Sequence, residues 1–348
     1  MNQQAKIQAS LTVAGCLLAA GCAFSFGQRQ AFAVAIEANS AINICLWIFL
    51  FGLIFGGIAK DLAGARNAIL IGSIFLFIGA WGELRVMSLY WLALGGGWTL
   101  ATSNGLFAPT NEIAGGRWLN FTHAFYRGAG LLILLTSPAI ELTKWLGFLC
   151  AFSAACWIHF FFTPVELPPR KAAAPRLSRT LVVVLISLNF LAGAAELWSE
   201  KLFTSTVLDL SHQYGYQLAG MMFLGRLAAS TSWFSGPRQL FICSLVTSAT
   251  VLVFPLASDD WIPVIAMTGA FFSASIFPSL LGWVAAAGGR WRGTLCGLGQ
   301  ITCMLAAPLA MTNSSYAFIP GISLIIISGY MVWSPAISHR LKHQRSDI

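Results

Sequence analysis

Charged side chains make up only 9% of this 348-residue chain, against about a quarter in soluble domains. With 57% hydrophobic residues and a mean hydropathy of +0.75, the chain cannot close as a water-soluble globule. Other absences narrow the function. The eight cysteines never fall in a Cys-x-x-Cys spacing, so neither a disulfide framework nor a thiolate metal site is expected. The chain holds five histidines, two of them (His339 and His343) near its C-terminal end, and no full metal-ligand set of histidines is expected. No Walker segment and no Gly-x-Ser-x-Gly elbow occurs. The expectations are no enzyme, no catalytic residue, no cofactor, no metal and no pumping driven directly by ATP.

Long apolar runs are present instead. A transmembrane helix needs about 20 apolar residues, and windows of that kind recur at 9–34, 40–59, 67–84, 87–108, 118–140, 143–163, 179–204, 214–235, 238–257, 261–284, 292–312 and 315–335. Twelve spans leave short loops and no soluble domain. The apolar run before Ala19-Ala20-Gly21-Cys22 imitates a lipid-attachment or signal sequence, yet it continues past the cysteine, so an uncleaved first helix is expected.

Orientation follows from the basic residues, because short cytoplasmic loops collect them. With the N-terminus inside, the inner segments hold fourteen of the twenty Lys and Arg: Lys6, Lys60, Arg66, Arg117, Arg170, Lys171, Arg176, Arg179, Arg238, Arg290, Arg292, Arg340, Lys342 and Arg345. The outer loops hold Arg85 and Lys144. Both termini are therefore expected in the cytoplasm. The net charge of +8 reflects this topology and not nucleic-acid binding.

The longest inner connection carries Pro164, Pro168, Pro169 and Pro175 among four basic residues, which marks a non-helical linker. It divides the chain into an N-terminal six-helix half at 1–163, a cytoplasmic linker at 164–178, a C-terminal six-helix half at 179–335 and a cytoplasmic tail at 336–348. The halves echo each other weakly: Gly64-Ala65-Arg66 follows the second span as Gly236-Pro237-Arg238 follows the eighth. Such repeats build transporters with a substrate site near the bilayer midplane. The fold expected is an all-α membrane protein of two pseudo-symmetric halves.

Gly57-Ile58-Ala59-Lys60-Asp61-Leu62-Ala63-Gly64-Ala65-Arg66 resembles the Gly-x-x-x-Asp-(Arg/Lys)-x-Gly-(Arg/Lys)-(Arg/Lys) loop of the major facilitator superfamily. It departs from that pattern at Leu62 and Ala65, where basic residues are usual. The resemblance implies a conformational latch built from Gly57, Asp61, Gly64 and Arg66. Asp61 at a helix end can take charge-assisted hydrogen bonds from Arg66 or from another helix's N-terminus. Within that superfamily, four segments resemble the fucose permease type of sugar:proton symporter: Gly95-Gly96-Gly97 with Asn104, Leu119-Asn120 through Gly130, Gly193-Ala194-Ala195-Glu196-Leu197-Trp198, and Gly225-Arg226. Ser275-Ile276-Phe277-Pro278-Ser279 fits as well. Arg127 stands where that type has Gly, and Arg29 where an acidic proton-binding residue is expected.

Polar groups in a bilayer are costly and mark function or helix pairing. At ~1.5 Å per helical residue, Arg127, ten residues past Arg117, lies near the midplane. Arg226, twelve residues before Arg238, reaches a similar depth, as a buried ion-pair candidate. Glu196 is its candidate partner, and Glu196 could pair with Arg29 instead. A carboxylate in apolar surroundings keeps its proton, and one beside a guanidinium gives it up, so Glu196 is the leading candidate for proton coupling. His123 is the second.

The candidate substrate-binding residues are Arg29, Asn104, Asn120, Arg127, Trp198 and Phe277; spans 1, 4, 7 and 10 line the cavity in the fold that the resemblance implies. The resulting expectation is a monomeric, proton-coupled secondary transporter of a small sugar-like or anionic metabolite, resident in a bacterial inner membrane. An exporter of drug-like or siderophore-like compounds, and a transporter-shaped receptor, are the alternatives.

Overall fold

A computed structural model describes residues 39–81, 86–107, 179–210, 212–231, 237–287 and 291–305, with shorter helical pieces around 119–131 and 321–329 and single positions at 151, 154 and 158. Among the described residues every regular element is helical. In chain order they are α1 (Asn39–Ala63), α2 (Ala65–Trp81), α3 (Val86–Phe107), α4 (Arg179–Leu210), α5 (His212–Ala229), α6 (Pro237–Val253), a 3-10 turn (Phe254–Leu256), α7 (Ile262–Ser273), α8 (Ile276–Ala287) and α9 (Arg292–Leu305). Among the described residues three apolar stretches are long enough to cross a bilayer: Ile44–Ala63, Arg238–Leu256 and Ile262–Ala285. The first 38 residues and the 164–178 linker lie outside the described residues.

Polarity is distributed inside out. On α1 the outward stripe is Ile44, Trp47, Phe51 and Phe55, whereas Phe49, Gly52, Leu53, Gly56 and Gly57 are buried. Each set repeats at helical spacing. Elsewhere Thr102, Ser103, Asn104, Asn189, Glu196 and Arg226 are buried while Trp81, Met87, Leu256 and Trp261 stand exposed. A water-soluble fold does the reverse; lipid removes the penalty on the aromatic outer stripe and raises it on the polar groups.

The described residues form two compact units. The first unit contains α1, α2, α3 and the opening turns of α9. Small residues bring its backbones together, as membrane helices require. Gly72 lies against Thr99, Leu76 against Gly95 and Gly79 against Leu92; each pair sums to 171, so α2 and α3 run antiparallel. Gly52 meets Trp98, and Thr102 donates to the Gly56 carbonyl at 3.2 Å; both pairs differ by 46, so α1 and α3 run parallel. The indole of Trp98 adds a bond between α3 and α2 by donating to the Ala68 carbonyl at 2.7 Å. Alternation of direction is what successive spans of a bilayer impose.

The second unit contains α4 to α8, the rest of α9 and the segment 108–124, of which 119–121, 123 and 124 are described. Phe203 sits at its core with Leu218, Met222, Val251, Phe254 and Ala266. A Cβ on Gly269 would lie 2.5 Å from the Phe203 ring, so only glycine leaves room for it. The α7–α8 stretch is interrupted at Ala274-Ser275. The cause is Pro278, whose ring nitrogen has no hydrogen to give the carbonyl four residues back.

Filling these seams should destabilise the protein by about 1–3 kcal/mol. Gly52→Val and Gly95→Val are expected to lower the melting temperature in detergent, because a Cβ would come within 2.5 Å of Leu94 O and 2.8 Å of Leu76 N. Gly220→Ala, with nothing within 4 Å of the new carbon, is expected to be neutral or slightly stabilising through helix propensity. Equal melting of all three variants would contradict the packing described.

Candidate functional site

Two polar centres stand out, one in each unit. The first is built on Asp61, in the last turn of α1. Its Oδ1 accepts from the Gly293 amide at 3.0 Å, and its Oδ2 accepts from the Thr294 amide at 2.7 Å and the Thr294 hydroxyl at 2.8 Å. Gly293 and Thr294 open α9, so the carboxylate satisfies N–H groups that have no partner within their own helix and meets the positive end of its dipole. The Asp61 side chain is 1% exposed. Gly57 and Gly293 permit the approach: a Cβ on Gly293 would lie 2.6 Å from the Gly57 carbonyl. Gly64 ends α1 with φ +85°, the left-handed conformation that a sharp turn into α2 needs and that glycine adopts without strain.

Lys60 completes this centre. Its ammonium donates to Asp61 Oδ1 at 3.1 Å, and its stem crosses a floor of Gly105 and Gly293, where a Cβ would fall 3.0 Å and 2.8 Å from the lysine Cδ. Leu62, at the position where a basic residue is usual in the resembling loop, is 66% exposed. The positive charge next to Asp61 thus comes from the residue before it. Arg66, in the first turn of α2, is half-buried.

The second centre is built on Arg226 of α5. The guanidinium Nη2 donates to Glu196 Oε1 at 2.7 Å, Nε donates to the Ala274 carbonyl at 2.9 Å, and Nη1 donates to the His123 carbonyl at 3.0 Å. The two side chains are 3% and 5% exposed. The Ala274 carbonyl is the one that Pro278 releases, and Arg226 takes up the bond the helix cannot make. Gly225 precedes it because α7 passes directly over that position, at the backbone of Phe271. The His123 ring meets Phe277 edge to face at 5.8 Å.

Next to it the Asn120 amide donates to Ser279 Oγ at 2.9 Å, the Gln239 amide donates to the same oxygen at 3.2 Å, and Ser279 donates to the Ser275 carbonyl at 2.7 Å. Cys243 Sγ lies 3.2 Å from Ser275 Oγ. The pairs 239/279 and 243/275 each sum to 518, so α6 lies antiparallel to α8 with a polar seam between them. This is a network of neutral groups whose strength comes from exclusion of water.

The sequence candidates therefore fall in different places. Glu196, Arg226, His123, Phe277 and Asn120 share the second unit. Gly57, Asp61, Gly64 and Arg66 share the first, with Asn104, buried in α3, and Arg127, half-buried and helical. Trp198 lies on α4 two residues past Glu196. Arg29 lies outside the described residues. Sequence reasoning did not find Lys60, Gly293, Thr294, Gln239 or Ser279. A signal existed for Thr294, a hydroxyl residue in the first turn of a predicted span, for Ala274, four residues before a proline, and for Ser279, within the Ser275 to Ser279 segment that fits the family resemblance; Gln239 carried none.

Removing one partner of a buried pair leaves the other charge unpaired, at about 3–5 kcal/mol. Arg226→Ala is expected to lower thermal stability by that order. Arg226→Lys should recover less than half, since one ammonium cannot reach three acceptors in a fork geometry. Arg226→Ala melting like Gly220→Ala would contradict this anchoring. Asp61→Asn is expected to lose about 1–2 kcal/mol, the range of a partly buried charge at a helix N-terminus, and no change in melting would contradict that cap.

No protein-family model and no curated protein sequence matches the chain. Solved structures do. The E. coli fucose:proton symporter superposes with TM-score 0.68 at 14% identity, covering 93% of this chain and 98% of that one. The E. coli proton:xylose symporter, bound to 6-bromo-6-deoxy-D-glucose, gives 0.66 at 13% identity over 95% and 96%. The human organic anion transporter MFSD10 gives 0.67 at 16% identity over 97% and 99%. Likeness over nearly the full length of three transporters of one superfamily assigns the backbone architecture: this chain has the major facilitator fold.

Proposed function

We propose that the chain is a secondary active transporter that moves a small hydrophilic metabolite across a membrane by alternating access, with proton binding at Glu196 driving the cycle. The observation that carries this reading is the buried Glu196–Arg226 pair. Bundle packing alone is served better by apolar side chains than by a desolvated ion pair, and a carboxylate whose partner can change is a proton carrier. The cap of Asp61 on α9 supports a cycle with a latched state. In this reading two six-helix halves rock about a central site, both termini face the cytoplasm, and the membrane is a bacterial inner membrane.

Two of the similar structures carry sugar transport in their names and one carries organic anions. For this chain the arginines tip the balance. Arg127, and Arg29 on the first predicted span, are forked donors suited to a carboxylate or phosphate, and Asn104 and Asn120 add partners for hydroxyl groups. The substrate class that satisfies both is a small hydroxylated anion such as a sugar acid.

Ligand-induced stabilisation of the purified protein tests this. A ligand at a hundred times its dissociation constant stabilises the native state by ~2.7 kcal/mol. Sugar acids and small carboxylates are expected to raise the melting temperature of the wild-type protein and to lose that effect in Arg127→Gly. Stabilisation of both proteins by neutral sugars, with none by anions, would overturn the anionic assignment and leave Arg127 structural.

A further inference from the structure

Asp61 lies in the last turn of α1, where the helix presents the negative end of its own dipole and opposes a carboxylate. Two features offset that opposition. One is α9, whose Gly293 amide, Thr294 amide and Thr294 hydroxyl supply three of the four hydrogen bonds that Asp61 accepts among the described residues. The other is Lys60, whose ammonium supplies the fourth at 3.1 Å.

The two are anchored differently. The α9 donors lie 232 and 233 positions along the chain from Asp61, whereas Lys60 is its neighbour on the same helix and stays with it whatever α9 does. The lysine stem rests on Gly105 of α3, where a Cβ would fall 3.0 Å from the lysine Cδ. That floor is fixed to α1 by the bond from Thr102 to the Gly56 carbonyl at 3.2 Å. If α9 separates from α1, the carboxylate loses three donors and the favourable dipole together and keeps the unfavourable dipole of its own helix. Lys60 remains as a counter-ion. Removing its charge therefore costs less in the closed arrangement, where α9 also stabilises Asp61, than in the open one.

We propose that Lys60 is a positioning residue acting in the opposite sense to the latch beside it: it is the resident counter-ion of Asp61 that makes separation of α1 from α9 less costly. This rests on the reading of the contact between Asp61 and α9 as one that opens in a transport cycle. Only hydrogen bonds are exchanged in the step. The position of the cation is what gives it this role, because a charge carried on α9 or on a mobile loop would leave with its own segment.

Cys296 reports on the separation. It is fully buried in α9, beside Gly297, whose Cα packs against the Leu53 carbonyl of α1, so a thiol reagent reaches it when α9 lifts from α1. The full chain in lipid nanodiscs, without substrate, is treated with N-ethylmaleimide, and labelling of Cys296 is followed over time by peptide mass spectrometry. Lys60→Met, which keeps the stem and removes the charge, is expected to label at least about threefold more slowly than the wild-type protein, the size of a partly buried ion pair missing from one arrangement only. Lys60→Gln should behave alike, and Lys60→Arg should return the wild-type rate. Asp61→Asn should label faster, and adding Lys60→Met to it should bring no slowing, since the lysine acts through the carboxylate. Cys243, buried in the second unit, should label at one rate throughout.

Faster or unchanged labelling of Cys296 in Lys60→Met and Lys60→Gln would overturn the proposal, the faster result by making Lys60 one more contact of the closed arrangement. Slowing that persists in the Asp61→Asn background or in Lys60→Arg would do the same, as would a parallel change at Cys243. Slowing of the expected size in a protein that no ligand stabilises and that carries no flux would remove the transport reading and leave the role of Lys60 in place.

Discussion

Burial of the Arg226 guanidinium is the constraint around which the second unit is arranged. A cation at 3% exposure in apolar surroundings costs several kcal/mol unless every donor is occupied. Three of the acceptors it uses have a structural origin: a carboxylate on α4, a carbonyl released by a proline between α7 and α8, and a carbonyl from the segment of His123. Gly225 permits the approach of α7, and Phe203 fills the space beneath Gly269. The same principle recurs in the first unit, where Asp61 is buried against the open end of α9 and the stem of Lys60 lies on two glycines. Both centres join a charge to backbone groups that a helix cannot satisfy for itself.

That pairing differs from apolar packing. A packed apolar seam has one good arrangement, whereas a charge held by backbone carbonyls and amides can exchange one partner for another or for water. Asp61 and Arg226 each join a segment of one sequence half to helices of the other. The glycine seams hold the helices within each unit at close approach.

Membrane embedding was legible in the sequence because it rests on totals: too few charges, repeated apolar windows, and basic residues on one side. The pairing of Arg226 with Glu196 was one that the sequence suggested, and contact of Asp61 with another helix's N-terminus was one that local motif chemistry suggested. Other features depend on which helix lies beside which, and a single sequence holds little of that. Lys60 reads as one more topogenic charge until α9 is known to lie against it. Gln239 reads as an ordinary polar residue near a span end, and Ser279 stands out only through the family resemblance of its segment. Ala274 is unremarkable by type; its free carbonyl is a consequence of Pro278, and its partner lies 48 positions away on α5.

Glu196 is the residue proposed to bind the coupling proton. The most direct test is proton movement in liposomes containing the reconstituted protein and a pH-sensitive dye in the lumen, after addition of a ligand identified by thermal stabilisation. The account predicts a ligand-dependent change in lumenal pH with the wild-type protein and none with Glu196→Gln, which should still exchange labelled ligand across the membrane. Proton movement undiminished in Glu196→Gln would contradict it.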